Sequence, residues 1–159
     1  MILISFVGLN DNINIESQGG ALRNIFFHYK DDLTNIYVFA NSQKGKADFV
    51  KIAQKNQRIF INENSKLKIQ IIEVDILDPT DHQLIYQILI DEMGSIMDND
   101  EIKDSKKIIN ISSGTPSMAT CWVLLSQSGL IPNSQLVQST DPKFRRQVID
   151  GKVVESPSV

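Results

Sequence analysis

The sequence predicts a doubly wound α/β fold, a mainly parallel sheet of about five strands between two helical layers, closed by a C-terminal edge strand or hairpin. Two observations carry this. Short aliphatic runs alternate with longer segments whose apolar residues recur at helical spacing, and the runs "ILISFV", "IYVFA" and "IQIIEV" are almost continuously apolar, as strands covered on both faces must be. A third observation bounds the size. With 159 residues, 42% of them hydrophobic, and no shift in composition, residues 1–159 are expected to form one domain with a substantial core.

The elements follow in order. Residues 2–7 read as the first strand and 20–30 as the first helix. Residues 35–40 and 47–63 repeat the pattern, and 69–74 supply a third strand. The third helix is expected over 79–97, started by Asp78-Pro79 and carrying Ile85, Ile88, Leu89 and Met93 on one face. Residues 98–106, charged and asparagine-containing, read as an exposed connection. A fourth strand at 107–111 leads into a helix over 116–129, with Gly129 suited to a left-handed stop and Pro132 preventing continuation. A fifth strand is expected at 135–138. In the tail, Asp150-Gly151 between two valine-rich runs marks a turn, hence the edge strand or hairpin.

Composition narrows the function classes. A formal charge of −3 gives no general basic surface for duplex nucleic acid. The single cysteine, Cys121, lies in an apolar helical segment, so no disulfide or thiolate metal site is expected. The apolar N-terminus lacks a basic leader and turns polar by Asn10, so neither signal peptide nor membrane span is read there, and a cytoplasmic location is expected. No metal-ligand spacing, Walker lysine or G-x-G-x-x-G is present, and no cofactor is expected.

Topology then selects the loops to inspect, because open parallel sheets bind ligands beyond the carboxyl ends of their strands. After the first strand comes Gly8-Leu9-Asn10-Asp11, a glycine turn with polar side chains. After the fourth comes Ser112-Ser113-Gly114-Thr115-Pro116, in which Thr115 can cap the next helix with proline in its first turn. A helix start attracts phosphate through its free N–H groups. One cap needs one hydroxyl, and here there are three. Met118 and Trp122, four apart, share a helix face that serves as core, as a base pocket or as a dimer seam. His28 and His82 read as surface or packing residues, and adjacent Asp91 and Glu92 diverge too far for a carboxylate dyad. Lys143, Arg145 and Arg146 form a compact basic group that could reach a phosphate.

The segment "NISSGTPSM", residues 110–118, resembles the signature of the CARF family, the Rossmann-like sensor domains associated with CRISPR systems. The following run "CWVLLSQSGLIPNSQLVQSTDP" is also similar to the sensor domain of the RNA-repair transcription activator. The resemblance implies a homodimer binding a cyclic oligoadenylate, cyclic tetra-adenylate first among them, across its two-fold axis, as in type III CRISPR signalling. It implies contacts from Gly8, Leu9, Asn10 and Asp11, a phosphate or ribose grip by Ser112, Ser113, Gly114, Thr115 and Pro116, and a base pocket shaped by Met118. The residues after the fifth strand are too few for an effector, which is therefore expected outside this chain. Pro116 stands where relatives often carry a cation, so a binding module is expected. The alternatives are a metal-independent ring nuclease, with Asn10, Ser113 and Thr115 positioning attack of the ribose 2′-hydroxyl, and a sensor of RNA ends bearing a terminal phosphate.

Overall fold

A computed structural model describes residues 1–12, 20–45, 47–139 and 153–155. Strands β1 (Ile2–Phe6), β2 (Asn35–Asn41), β3 (Lys68–Val74), β4 (Lys107–Asn110), β5 (Ser134–Ser139) and β6 (Val153–Glu155) form one sheet in the order β3-β2-β1-β4-β5-β6. The first five are parallel, and β6 pairs antiparallel with β5 through Val137↔Glu155. This is the doubly wound, Rossmann-like order. The edge strand is as expected; Asp150-Gly151 lies outside the described residues.

Helices α1 (Ala21–Tyr29) and α2 (Phe49–Glu63) cover one face, while α3 (His82–Met97), α4 (Asp100–Asp104) and α5 (Pro116–Gln127) cover the other. Alternation along β1 divides the two cores. Leu3 and Val7 join Leu22, Phe26, Ile52 and Phe60; Ile2, Ile4 and Phe6 join Leu89, Met93, Trp122 and Leu125. Central β1 and β4 are buried throughout, which explains their unbroken apolar reading. Strand β3 differs. It is an edge strand with Lys68, Gln70 and Glu73 exposed, so the reading of "IQIIEV" as covered on both faces fails at its outer border.

Helix starts show where local chemistry overrode the sequence reading. Helix α3 begins at His82, capped by Asp81, whose carboxylate accepts from the Leu84 N–H at 3.2 Å. Asp78 instead closes a turn on Thr80, accepting from its N–H and hydroxyl at 2.9 and 2.6 Å, so Pro79 precedes the helix. Residues 98–106 are not simply a loop. Asn99 caps α4 by accepting from the N–H groups of Glu101 and Ile102, and Ile102 is the anchor it buries. Helix α5 starts as expected, with Thr115 as cap and Pro116 in the first turn, and Gly129 follows its end at φ 82°.

Lys107, the first residue of β4, is buried outright. Its ammonium donates to the carbonyls of Lys103, Ser105 and Pro132 at 2.7, 2.7 and 2.6 Å. Burial holds its pKa below the usual lysine value, and Asp104 pulls the other way. Trp122 settles one open question: it lies fully buried, with ring centroids 5.6 Å from Phe6 and 5.4 Å from Phe39, as core. Among the described residues, no helix is long and apolar enough to cross a membrane.

Candidate functional site

Strands β1 and β4 are neighbours, yet α1 leaves β1 for one face and α5 leaves β4 for the other. A crevice must open between their carboxyl ends. There the structure has a cleft of about 1000 Å³, roomy for a small ligand. It gathers Gly8, Leu9, Asn10 and Asp11 with Ser112, Ser113, Gly114, Thr115 and Met118. Pro116 does not line it.

The floor is built by peptide meeting peptide. A Cβ added to Gly8 would lie 2.7 Å from the Gly114 nitrogen, so no side chain fits between the two loops. Gly114 has φ 91° and sits against Met118 Sδ and Phe6, which together demand glycine. Asp11 locks this arrangement. Its carboxylate accepts from the N–H groups of Gly8 at 2.8 Å and Leu22 at 3.1 Å and from Ser113, and it is only 1% exposed. Burial raises its pKa, and the three donors offset only part of that.

The surplus hydroxyls of the fourth loop also find internal partners. Asn110 donates to the hydroxyls of Ser5 at 3.0 Å and Ser113 at 2.8 Å and accepts from the Ser112 N–H at 2.8 Å. Ser112 Oγ accepts from the Ser139 N–H at 2.9 Å, and Ser139 Oγ accepts from Asn24 at 3.1 Å. Thr115 Oγ1 accepts from the Met118 N–H at 3.3 Å and donates to the Pro79 carbonyl at 2.7 Å. Ser117 adds a bond to the Thr80 carbonyl at 3.0 Å, tying the β3–α3 loop to the start of α5. The hydroxyls thus knit the ends of β1, β4 and β5 with α1 and the β3–α3 loop. Asp11, Ser113 and Met118 are buried supports, whereas Leu9, Asn10, Ser112 and the exposed Gly114 backbone face the opening.

Sequence reasoning missed the second half of the lining. Asn41, Gln43, Lys44 and Phe49 from the β2–α2 side, and Ile76, Leu77 and Pro79 from the β3–α3 side, complete the cleft. The signal was present in "NSQKG", a polar turn at the carboxyl end of a parallel strand. Asn41 joins these two loops: its Oδ1 accepts from the N–H groups of Gln43 at 3.1 Å and Ile76 at 3.0 Å, and its Nδ2 donates to the Ile76 carbonyl at 3.0 Å. His28 and His82 are exposed away from this lining, and so is Asp91. Lys143, Arg145 and Arg146 lie outside the described residues.

A family model described as RtcR, regulator of RNA terminal phosphate cyclase, matches residues 42–154, well over half the sequence. The chain belongs to the RtcR family. The match includes the Gly114-Thr115 turn and agrees with the resemblance to CARF domains and to the RNA-repair activator's sensor. No curated protein matches the sequence. Among solved structures, Enterococcus italicus Csm6 bound to cyclic hexa-2'-fluoro-hexa-dAMP is similar to this RtcR-family chain, with a TM-score of 0.73 and 20% identity over 91% of it. Can2 from Sulfobacillus thermosulfidooxidans in complex with cyclic tetra-adenylate aligns over 86% at 12% identity with a TM-score of 0.48. The RtcR-family chain spans only 34% and 31% of those two chains. The Csm6 likeness bears out the Rossmann-like fold.

Proposed function

We propose that residues 1–159 form one ligand-sensing domain, acting in the cytoplasm, that binds a cyclic oligoadenylate in the cleft between β1 and β4. Cyclic tetra-adenylate is the ring to test first. Two protomers hold it across a homodimer axis and pass the signal to an effector outside this chain, as in type III CRISPR defence. The observation that carries the reading is the apposed Gly8 and Gly114 backbones at the switch point, which leave peptide surface open to a close-fitting ligand. Support comes from the fold shared with Csm6, which was solved with a cyclic hexa-adenylate analogue. Exposed Leu9 and Leu77, at 56% and 79%, give the rim apolar surface for bases or for a second protomer.

Binding is favoured over cleavage. Of Asn10, Ser113 and Thr115, the two hydroxyl residues are engaged in structural bonds, and Asn10 alone is exposed on the rim. Cleavage by the ribose 2′-hydroxyl needs a group placed to direct the in-line attack, and neither engaged hydroxyl is free to do so. A second reading, an RNA end with a terminal phosphate as ligand, is favoured by the family match.

Calorimetry with cyclic tri-, tetra- and hexa-adenylate, and with an RNA carrying a terminal phosphate, tests both. We expect a ring to bind, and Asn10→Ala to weaken it about tenfold, near 1.4 kcal/mol, without lowering the melting temperature. Binding of the RNA but of no ring would replace the first reading with the second. Binding of none would overturn both.

A further inference from the structure

We propose that Lys44, from the β2–α2 loop, is the one among the described residues that neutralises ligand phosphate in this cleft. The inference rests on the reading of the cleft as a nucleotide site and names its charge partner.

Among the described residues lining the cleft, Lys44 is the only cation and Asp11 the only carboxylate. Asp11 is buried and its acceptors are used on Gly8, Leu22 and Ser113, so it presents no exposed charge to a ligand. Lys44 is exposed, and it pairs with no carboxylate among the described residues. Its position is set from behind. Buried Asn41 clamps the Gln43 N–H and the Ile76 peptide together, and the Gln43 side chain bonds Asp75, so the residue preceding Lys44 is fixed to β3's carboxyl end by two independent links. A lysine mounted on a pinned turn keeps its reach over the cleft while its ammonium stays mobile enough to find an oxygen.

The rest of the wall makes the need plain. Among the described residues of the wall, Leu9, Leu77 and Phe49 are apolar, and Asn10, Asn24 and Ser112 are neutral. A phosphodiester leaving water for this cleft loses hydration that neutral amides and hydroxyls replace only in part. A cation does so more fully. A cyclic oligoadenylate and a terminal-phosphate RNA both present this chemistry, so both are assayed.

Lys44→Ala, Lys44→Glu and Lys44→Arg are titrated by calorimetry with cyclic tetra-adenylate and, separately, with the RNA, at low and moderate salt. For whichever ligand the wild type binds, we expect Lys44→Ala to weaken affinity at least tenfold and Lys44→Glu to weaken it further. The dependence of log K on log salt should flatten by about 0.7 for each lysine engaged, and Lys44→Arg should restore most of the affinity. Thermal melts should be unchanged in all three. Wild-type binding with unaltered affinity and salt slope in Lys44→Ala would overturn the assignment while leaving the nucleotide reading intact. Failure of the wild type to bind any of cyclic tri-, tetra- and hexa-adenylate or the RNA would overturn both.

Discussion

Asp11 takes a carboxyl group into the interior, and the folded chain holds its proton more tightly than the unfolded chain, above the ordinary value of 3.8. Its titration therefore contributes stability that is complete below pH 3.8 and lost as pH rises through the raised value. Asp11→Asn keeps the size but turns an amide NH₂ toward one of two backbone N–H donors, leaving that donor unpaired. We expect a loss of about 1–3 kcal/mol. The gap between wild type and variant should narrow with rising pH, because only the wild type titrates there. Urea unfolding of both proteins from pH 4 to 8 measures this; a gap that stays constant would remove Asp11 from the pH dependence. Gly114 is a less informative position for probing the ligand. At φ 91°, with Met118 Sδ 2.6 Å from an added Cβ, any side chain strains the fold as well as the site. Asn10 and Lys44 are exposed and separate the two effects.

At the scale of elements, Lys107 acts as a clasp. One ammonium satisfies two carbonyls at the end of α4 and one in the turn before β5, and so joins the short helix to the sheet. Lys107→Met preserves the apolar stem and removes all three bonds; we expect a cost of about 3 kcal/mol, read from the urea midpoint with an unchanged slope. A midpoint within experimental scatter of the wild type would mean that water replaces the ammonium without loss. The strands were legible because runs such as residues 2–7 leave no room for another periodicity. Helix α4 was not: five residues with one buried anchor, Ile102, carry no period, and only the Asn99 cap marks its start. The start of α3 misled for a related reason. Asp78-Pro79 and Asp81 both suit a helix opening; Asp78 is taken by its turn on Thr80, and the Pro79 and Thr80 carbonyls, held by Thr115 and Ser117, stay outside the helix. Lys107 itself reads as a polar strand end until the carbonyls around it are known.

On the scale of the whole molecule, the order β3-β2-β1-β4-β5-β6 decides which loops meet. The β1 and β4 contributions were legible because glycine and a helix cap mark them locally. Asn41, Lys44 and Leu77 were not: "NSQKG" marks a polar turn, but its part in the cleft depends on β2 lying beside β1 and β3 beside β2, an order that no short motif encodes. The proposed homodimer is tested at this scale too. A ring shared by two protomers should bind with a stoichiometry of about one per two chains, and sedimentation should show a dimer in its presence. A stoichiometry of one per chain with a monomeric complex would refute the shared site. One last consequence follows from the Gly8 and Gly114 contact. The cleft has a floor of main chain that substitution cannot re-sculpt without breaking the domain, and a rim of exposed side chains, Leu9, Lys44 and Leu77 among them, that the core does not need. Redesign of this cleft for a chosen ligand thus has a natural boundary: Leu9, Lys44 and Leu77 are open to selection, while the ground on which any new ligand must stand is already set.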